Sequence, residues 1–171
     1  MPPEQLSLEA VPRHDGEVYH TLMKPDELAD QYLGEQHMMQ LATLAGDQPW
    51  CCTVYYVHDK DRNLYWASLP SRRHSQEIAQ HNKVASAIAV KFTKGEKVIG
   101  IQVSGTAEQL EPSETIRPVA EQYAEKFGRD EQWINDFVAG RTEHRLYKLS
   151  PGSIDLFDEV NFPNGERQKV L

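Results

Sequence analysis

Short apolar runs joined by short polar turns are the feature that most restricts the folds open to this chain. Residues 37–45, 50–58 and 64–68 are apolar runs with β character, and the segments 46–49 and 59–63 between them are short and polar. Turns of this length and composition join antiparallel neighbours in a sheet. We therefore predict that the three runs form an antiparallel meander.

The second half of the chain continues this pattern and adds glycines inside one strand. Four further strands are predicted, over residues 84–92, 98–110, 144–149 and 154–157. Pro151 and Gly152 form the predicted turn between the last two. Gly100 and Gly105 interrupt a long strand, where glycine often marks a bulge, a bend or a close approach. About six short strands with helices between them indicate an α+β fold, a small antiparallel six-stranded β-barrel with peripheral helices.

Helix signals fall outside these strands. Pro25 suits the first turn of a helix that ends near Gly34. Residues 73–81 predict a short helix with Ile78 and Ala79 as its buried side.

The segment 112–140 is predicted to hold two helices. Gly128 suits the end of the first helix and Asp130 the N-cap of the second. Pro118 either begins the first helix or kinks it, because proline is disfavoured inside a helix.

Charge is uneven along the chain, and this bears on its partners. Residues 1–36 carry eight acidic and two basic side chains, so most of the net charge of −8 lies there and the rest is nearly neutral. We predict that residues 1–30 form an acidic N-terminal arm with the start of a helix, and that residues 31–171 form one barrel domain. Nucleic acid is not an expected partner, because binding it requires a basic surface.

The sequence predicts a cytoplasmic protein. No apolar run approaches the roughly 20 residues of a membrane span, and the first residues lack the basic and apolar parts of a secretory signal. Cys51 and Cys52 are adjacent, so on a strand they point to opposite faces and an ordinary disulfide between them is not expected. We interpret both as strand-packing residues, which fits a reducing compartment.

The segment after the third strand carries the clearest binding signal. Ser71, Arg72, Arg73 and His74 lead directly into the predicted short helix. A helix N-terminus favours an anion, and arginine adds bidentate hydrogen bonds to phosphate. An adjacent anion would also favour a charged His74. The alternative is a solvated first turn whose arginines pair with nearby acids.

The order of these elements resembles the pyridoxamine 5′-phosphate oxidase-like family of FMN-binding split barrels, in particular a small bacterial branch of it. The resemblance covers about residues 33–158, and its markers are the segments 65–68 and 73–74, Asn82, and VSGTAEQL at 103–110. It implies a split barrel that forms a homodimer with FMN at the subunit interface.

The resemblance also implies a set of cofactor-binding residues. The phosphate would be held by Ser71, Arg72, Arg73 and His74. The ring would lie along the second and third strands, and Gln102 would face it. The implied strand residues are Thr53, Val54 and Tyr55 from the second strand and Trp66, Ala67 and Ser68 from the third. The ring would be framed by Tyr55, Trp66 and Gln102.

Function is less constrained than fold. The Arg-x-His motif that such oxidases use for their substrate is missing near the end of the sequence, where Arg167 stands alone, so vitamin B6 oxidation is not expected. We expect an FMN-dependent oxidoreductase that acts on an unidentified small molecule, with no catalytic side chain identified. The alternatives are a non-catalytic module that binds deazaflavin F420 or haem, and an interaction protein with an empty site. No metal site is expected, since the other histidines lack ligand spacing.

Overall fold

An antiparallel sheet curls into a split barrel, and helices cover part of its outside. The fold is that of a computed structural model, which describes residues 11–12, 18–19, 23–91, 94–162 and 165–171. The strands are β1 (Val11–Pro12), β2 (Val18–Tyr19), β3 (Met38–Ala45), β4 (Gln48–Tyr55), β5 (Val57–His58), β6 (Leu64–Ser68), β7 (Lys83–Lys91), β8 (Ile99–Leu110), β9 (Arg145–Asp158) and β10 (Gln168–Lys169). The helices are α1 (Pro25–Glu35), α2 (Arg73–Gln80), α3 (Arg117–Phe127) and α4 (Glu131–Val138), and a 3₁₀ turn spans Glu114–Ile116.

The order of strands shows how the sheet closes. They run β4-β3-β7-β8-β9-β6-β5, with β10 added on β9. The two edge strands, β4 and β5, are consecutive in the chain, with only Tyr56 between them. Tyr56 is fully buried, and its hydroxyl donates to the Leu33 carbonyl at 2.9 Å. The predicted α+β split barrel with peripheral helices is therefore confirmed, with six strands of five residues or more among the described elements.

The predicted meander is only partly right. β3 pairs with β4 as expected, but the predicted strand 50–58 breaks at Tyr56, where the chain passes from one sheet edge to the other. The end of that run, β5, pairs antiparallel with β6 across the turn 59–63, as expected. β4 does not pair with β6, and the other edge of β6 pairs with β9, so the three runs do not form one continuous meander.

The predicted turn at Pro151 and Gly152 is wrong, because β9 continues through both residues. Opposite Gly105 the β8–β9 register shifts, so Gly105 pairs with Pro151 and Ser104 with Ser153. Gly152 is the extra residue of a bulge. A Cβ atom on Gly105 would lie 2.1 Å from the Ser150 carbonyl oxygen, so the close approach expected for this glycine is confirmed.

The barrel interior is filled by the inward side chains of the strands. Trp66 is fully buried there, and its ring stacks on Tyr147 with centroids 5.6 Å apart. A second apolar cluster, which includes Tyr123 and Phe137, lies under α3 and α4. These helices thus cover one side of the barrel.

The helix ends follow the sequence closely. Pro118 lies in the first turn of α3, so the helix begins there and does not kink. Gly128 ends α3 with a φ of 65°, and the Asp130 side chain accepts a hydrogen bond from the Trp133 amide at the start of α4. In α2 the expectation for Ala79 is wrong, because Ala79 is exposed and Glu77 is buried in its place.

The predicted acidic arm falls mostly outside the described residues. Of residues 1–22, the structure describes only the two-residue strands β1 and β2, which pair antiparallel with each other.

Candidate functional site

An open pocket of about 370 Å³ lies where β4, the end of β6 and the start of α2 meet. It is lined by Met38, Thr53, Val54, Tyr55, Ala67, Ser68, Leu69, Arg72, His74, Tyr123 and His144. We call it the β4–α2 pocket. Most of the sequence-predicted cofactor residues are among these.

Four predicted residues are not in the lining. Trp66 has its side chain in the barrel core, and Ser71 and Arg73 are exposed on the loop and first turn of α2. Gln102 lies on the outside of the sheet, beside Ala87. The pocket therefore brings together seven of the predicted residues: Thr53, Val54, Tyr55, Ala67, Ser68, Arg72 and His74. The other four do not line it.

The two arginines before α2 have different surroundings. Arg72, the N-cap residue, has an extended backbone and lines the pocket. Within the described part of the chain its guanidinium forms no ion pair and no hydrogen bond. Its charge is therefore available to an anion in the pocket.

Arg73 instead is bound within the protein. Its Nε donates to Glu77 Oε1 at 2.7 Å, one helical turn later, and its guanidinium carbon lies 4.2 Å from the centre of the Trp50 ring. Glu77 is buried and also accepts a hydrogen bond from the Thr43 hydroxyl. Burial raises the pKa of the Glu77 carboxyl, but the bonds from Thr43 and Arg73 outweigh it, so the pKa lies below its ordinary value.

His74 links the pocket to the barrel wall. Its Nε2 lies 2.8 Å from the Ser68 hydroxyl oxygen, and its Nδ1 lies 3.4 Å from the Cys52 sulfur. Burial, and then the nearby positive charge of Arg72, lower the pKa of His74 below its ordinary value. The protein's own groups thus favour a neutral imidazole, in contrast to the charged His74 expected beside a bound anion.

The pocket favours negative charge. None of its lining residues is an aspartate or glutamate, although the whole chain has a net charge of −8. Within the described residues no side chain caps α2, so the amide groups of its first turn are left without a side-chain partner. Uncapped amides at a helix start and an unpaired arginine are the groups that bind phosphate.

Sequence reasoning missed four lining residues: Met38, Leu69, Tyr123 and His144. Tyr123 is part of the apolar stripe of α3, which predicts a core role only. His144 reaches the pocket because β6 pairs with β9 in a register that sets Ser68 opposite Arg145. That long-range pairing has no local signal, so spacing in the sequence could not have found His144.

The outer sheet face is a second surface with an unusual composition. We use this name for the exposed side of β4, β3, β7, β8 and β9. Two rows cross it: Cys51, Ala42, Ala85, Ser104 and Ser153, and then Thr53, Gln40, Ala87, Gln102 and Asp155. Small side chains dominate the first row, and Thr53 belongs both to the second row and to the β4–α2 pocket.

Comparison with known proteins gives the family. The model of the pyridoxamine 5′-phosphate oxidase family matches residues 25–149. The chain belongs to this family. The resemblance drawn from the sequence is thus confirmed.

Bacterial relatives of this family member carry the name UPF0306. A UPF0306 protein of Yersinia pseudotuberculosis is 31% identical over 108 residues, which cover 56% of this chain and 74% of that protein. One of Photorhabdus laumondii is 30% identical over 86 residues, which cover 50% of this chain and only 60% of the relative's length.

Solved structures share the fold at low sequence identity. Rv2991 of Mycobacterium tuberculosis has a TM-score of 0.68 at 17% identity, over 82% of this chain and 88% of that one. The heme storage protein HutZ of Vibrio cholerae has a TM-score of 0.60 at 18% identity, over 75% and 91%. An FAD-binding protein of Mesorhizobium loti has a TM-score of 0.57 at 14% identity, over 77% and 92%.

The described residues hold neither a membrane-spanning helix nor a cluster of metal ligands. Among the described helices, none is long and apolar enough to cross a membrane. In the same part of the chain, no group of three or more His, Cys, Asp or Glu side chains is arranged to hold a metal ion.

Proposed function

We propose that this protein binds FMN non-covalently in the β4–α2 pocket and transfers hydride or electrons to or from a small molecule. The observation that carries the proposal is Arg72, which lines the pocket at the uncapped start of α2 without an internal partner. Membership of the pyridoxamine 5′-phosphate oxidase family adds support. The flavin would supply the redox chemistry, and the chain would supply binding and orientation.

The phosphate would be held at the start of α2. Arg72 would donate paired hydrogen bonds, the first-turn amides would add theirs, and Ser71 and Arg73 would flank them from the exposed side. Ser68, which is held by His74 Nε2, would contribute a hydrogen bond from within the pocket. The absence of lining carboxylates would leave this positive field unopposed.

The ring would lie against strand edges. Thr53, Val54 and Tyr55 would present backbone groups and the half-exposed Tyr55 ring, and Ala67 would leave room opposite. Trp66 would act through its backbone, since its side chain is in the core. The pocket volume falls within the roughly 300–1,000 Å³ of small-molecule sites. Tyr123 and Leu69 would complete an apolar wall.

We further propose that the protein is a homodimer joined through the outer sheet face. Small side chains let two sheets approach closely, and Thr53 connects this face to the pocket. Gln102 would then lie at the dimer interface. We propose that it faces the flavin ring from that position. Ala87→Arg should dissociate the dimer in analytical ultracentrifugation, whereas Ala139→Arg, on the exposed end of α4, should not. A dimer that persists in Ala87→Arg would contradict this interface.

Haem is the second candidate, because His144 lines the same pocket and one structural neighbour is a heme storage protein. His74 is poorly suited to hold the iron, since both of its ring nitrogens already have partners. His144 would therefore be the iron ligand. Haem binding that His144→Ala abolishes, without FMN binding, would favour this candidate.

Titration of the purified chain with FMN tests the leading proposal. We expect saturable binding, and in Arg72→Ala a loss of about 2 kcal/mol, or about thirtyfold in affinity. Arg73→Ala is the comparison variant and should lose less affinity than Arg72→Ala, because the Arg73 guanidinium is already paired with Glu77. No FMN binding by the native chain, or equal affinity in Arg72→Ala, would contradict the proposal.

A further inference from the structure

Three side chains form a continuous line from the pocket into the barrel wall. Ser68 lines the pocket and is buried, His74 lies next to it, and the half-buried Cys52 lies behind His74. The separations are 2.8 Å from Ser68 Oγ to His74 Nε2 and 3.4 Å from His74 Nδ1 to Cys52 Sγ. Both ring nitrogens of His74 are therefore engaged, one on each side.

A neutral imidazole carries one N–H, so the two hydrogen bonds of His74 must run in the same direction along the line. In one arrangement the Cys52 thiol donates to Nδ1, Nε2–H donates to Ser68, and the Ser68 proton is left for the pocket. In the other, Ser68 donates to Nε2, Nδ1–H points to sulfur, and no Ser68 proton remains. The direction thus decides whether Ser68 is a donor or an acceptor toward a ligand.

We propose that Cys52, His74 and Ser68 form a hydrogen-bond relay in which His74 is a positioning residue that presents the Ser68 proton to an oxygen of the bound ligand. This rests on the proposed function only for the identity of the ligand, FMN. An oxygen acceptor in the pocket selects the first arrangement, since only that one gives it a donor. No covalent or redox step is involved.

The Cys52 thiol is suited to donate a hydrogen bond to His74. Burial, and then the proximity of Cys51 and Glu77, raise the pKa of the Cys52 thiol to about 11. The sulfur therefore keeps its proton at neutral pH and can donate it. Among the described residues Cys52 is the partner of His74 Nδ1, so it is the group that fixes the tautomer.

Two pairs of substitutions separate the relay from simple packing. In His74→Gln an amide nitrogen stands near the position of Nε2 and can still donate to Ser68, whereas in His74→Asn the amide stands near Nδ1 and cannot. Cys52→Ser keeps a donor, whereas Cys52→Ala removes it. Cys51→Ala is the control for a cysteine that is exposed and adjacent.

The measurement is FMN affinity, together with the ¹⁵N NMR spectrum of the His74 ring in the FMN-bound chain. Ser68→Ala and His74→Asn should lose about fivefold to tenfold in affinity, the usual worth of one hydrogen bond. His74→Gln, Cys52→Ser and Cys51→Ala should stay within about twofold of the native chain. Cys52→Ala should lose about threefold, and the native ring should be in the Nε2–H tautomer.

The outcomes distinguish the two proposals. FMN binding with an Nδ1–H tautomer, or with Ser68→Ala as tight as the native chain, overturns the relay alone. Absence of FMN binding by the native chain overturns the proposed function and the relay with it. The NMR measurement uses the native chain, so it decides the relay even if a variant fails to fold.

Discussion

Arg72 and Arg73 are neighbours in sequence, yet they belong to two different regions of the molecule. Arg72 faces the β4–α2 pocket without an internal partner, whereas Arg73 pairs with the buried Glu77 and stacks on Trp50. Arg72 has the extended backbone of an N-cap, and Arg73 is the first helical residue, four positions before Glu77. Their positions at the start of α2 therefore place Arg72 in the pocket, whereas Arg73 contributes to the stability of the fold through Glu77.

The largest effect on stability is expected at Glu77. Glu77→Ala removes the acceptor of the buried Thr43 hydroxyl and of the half-exposed Arg73 guanidinium. We expect the free energy of unfolding to fall by about 2–3 kcal/mol, measured by chemical denaturation. FMN affinity should change far less than in Arg72→Ala. If Glu77→Ala is as stable as the native chain, the bonds of Glu77 to Thr43 and Arg73 do not stabilise the fold.

Acid should weaken the same region. The pKa of Glu77 is lower in the folded chain than its ordinary value, so its contribution is present above that ordinary value and is lost as pH falls through the folded-state pKa. The pKa values of Asp59 and Asp158 are also lowered, so the native chain has other acid-sensitive groups. In Glu77→Gln the melting temperature should therefore fall less steeply with acid than in the native chain, at pH values below about 4.5. Parallel curves for both chains would contradict the assignment.

Arg73→Ala should have a smaller effect. Its side chain is about half exposed, with 46% of its surface accessible, so solvent screens its bond to Glu77. We expect a loss of about 1 kcal/mol in the free energy of unfolding, from the ion pair and the Trp50 contact together. Arg73→Lys should recover little of it, because a lysine cannot reproduce the planar guanidinium over Trp50. Thermal melts of the two variants make this comparison.

The smallest stability effect is expected for Arg72→Ala, within about 0.5 kcal/mol of the native chain. The order is reversed for FMN affinity, where Arg72→Ala should have the largest effect of these variants. Measuring both quantities on the same preparations tests whether the two regions are separate. A destabilised Arg72→Ala chain would mean that this arginine also supports the fold.

Sequence reasoning succeeded where the signal is local. Capping by Asp130 and the helix end at Gly128 depend on a few adjacent residues, and both are confirmed. The pairing of β6 with β9 depends on strands far apart in sequence, and the sequence gives no local sign of it. The same holds for His144, which reaches the pocket only through that pairing.

The candidate site was predictable in its residue types and less so in its geometry. The loop before α2 indicates an anion site, and the structure lines the pocket with Arg72 and His74. The sequence alone did not separate the roles of the two arginines, although a glutamate four residues after Arg73 is a recognised helix pair. Trp66 shows the limit of placement by strand, since alternation along β6 turns its side chain into the core.

The pairing of β6 with β9 has a consequence for how the protein is made. Trp66 lies opposite Tyr147, about eighty residues later in the chain. Translation proceeds at roughly 5–20 residues per second, so β6 waits roughly 4–16 s for its partner strand to be synthesised. Ala67 and Ser68, at the end of β6, are part of the pocket wall. The pocket therefore takes its final shape late in synthesis, and a nascent chain that ends before β9 has an unpaired strand edge that a chaperone could protect.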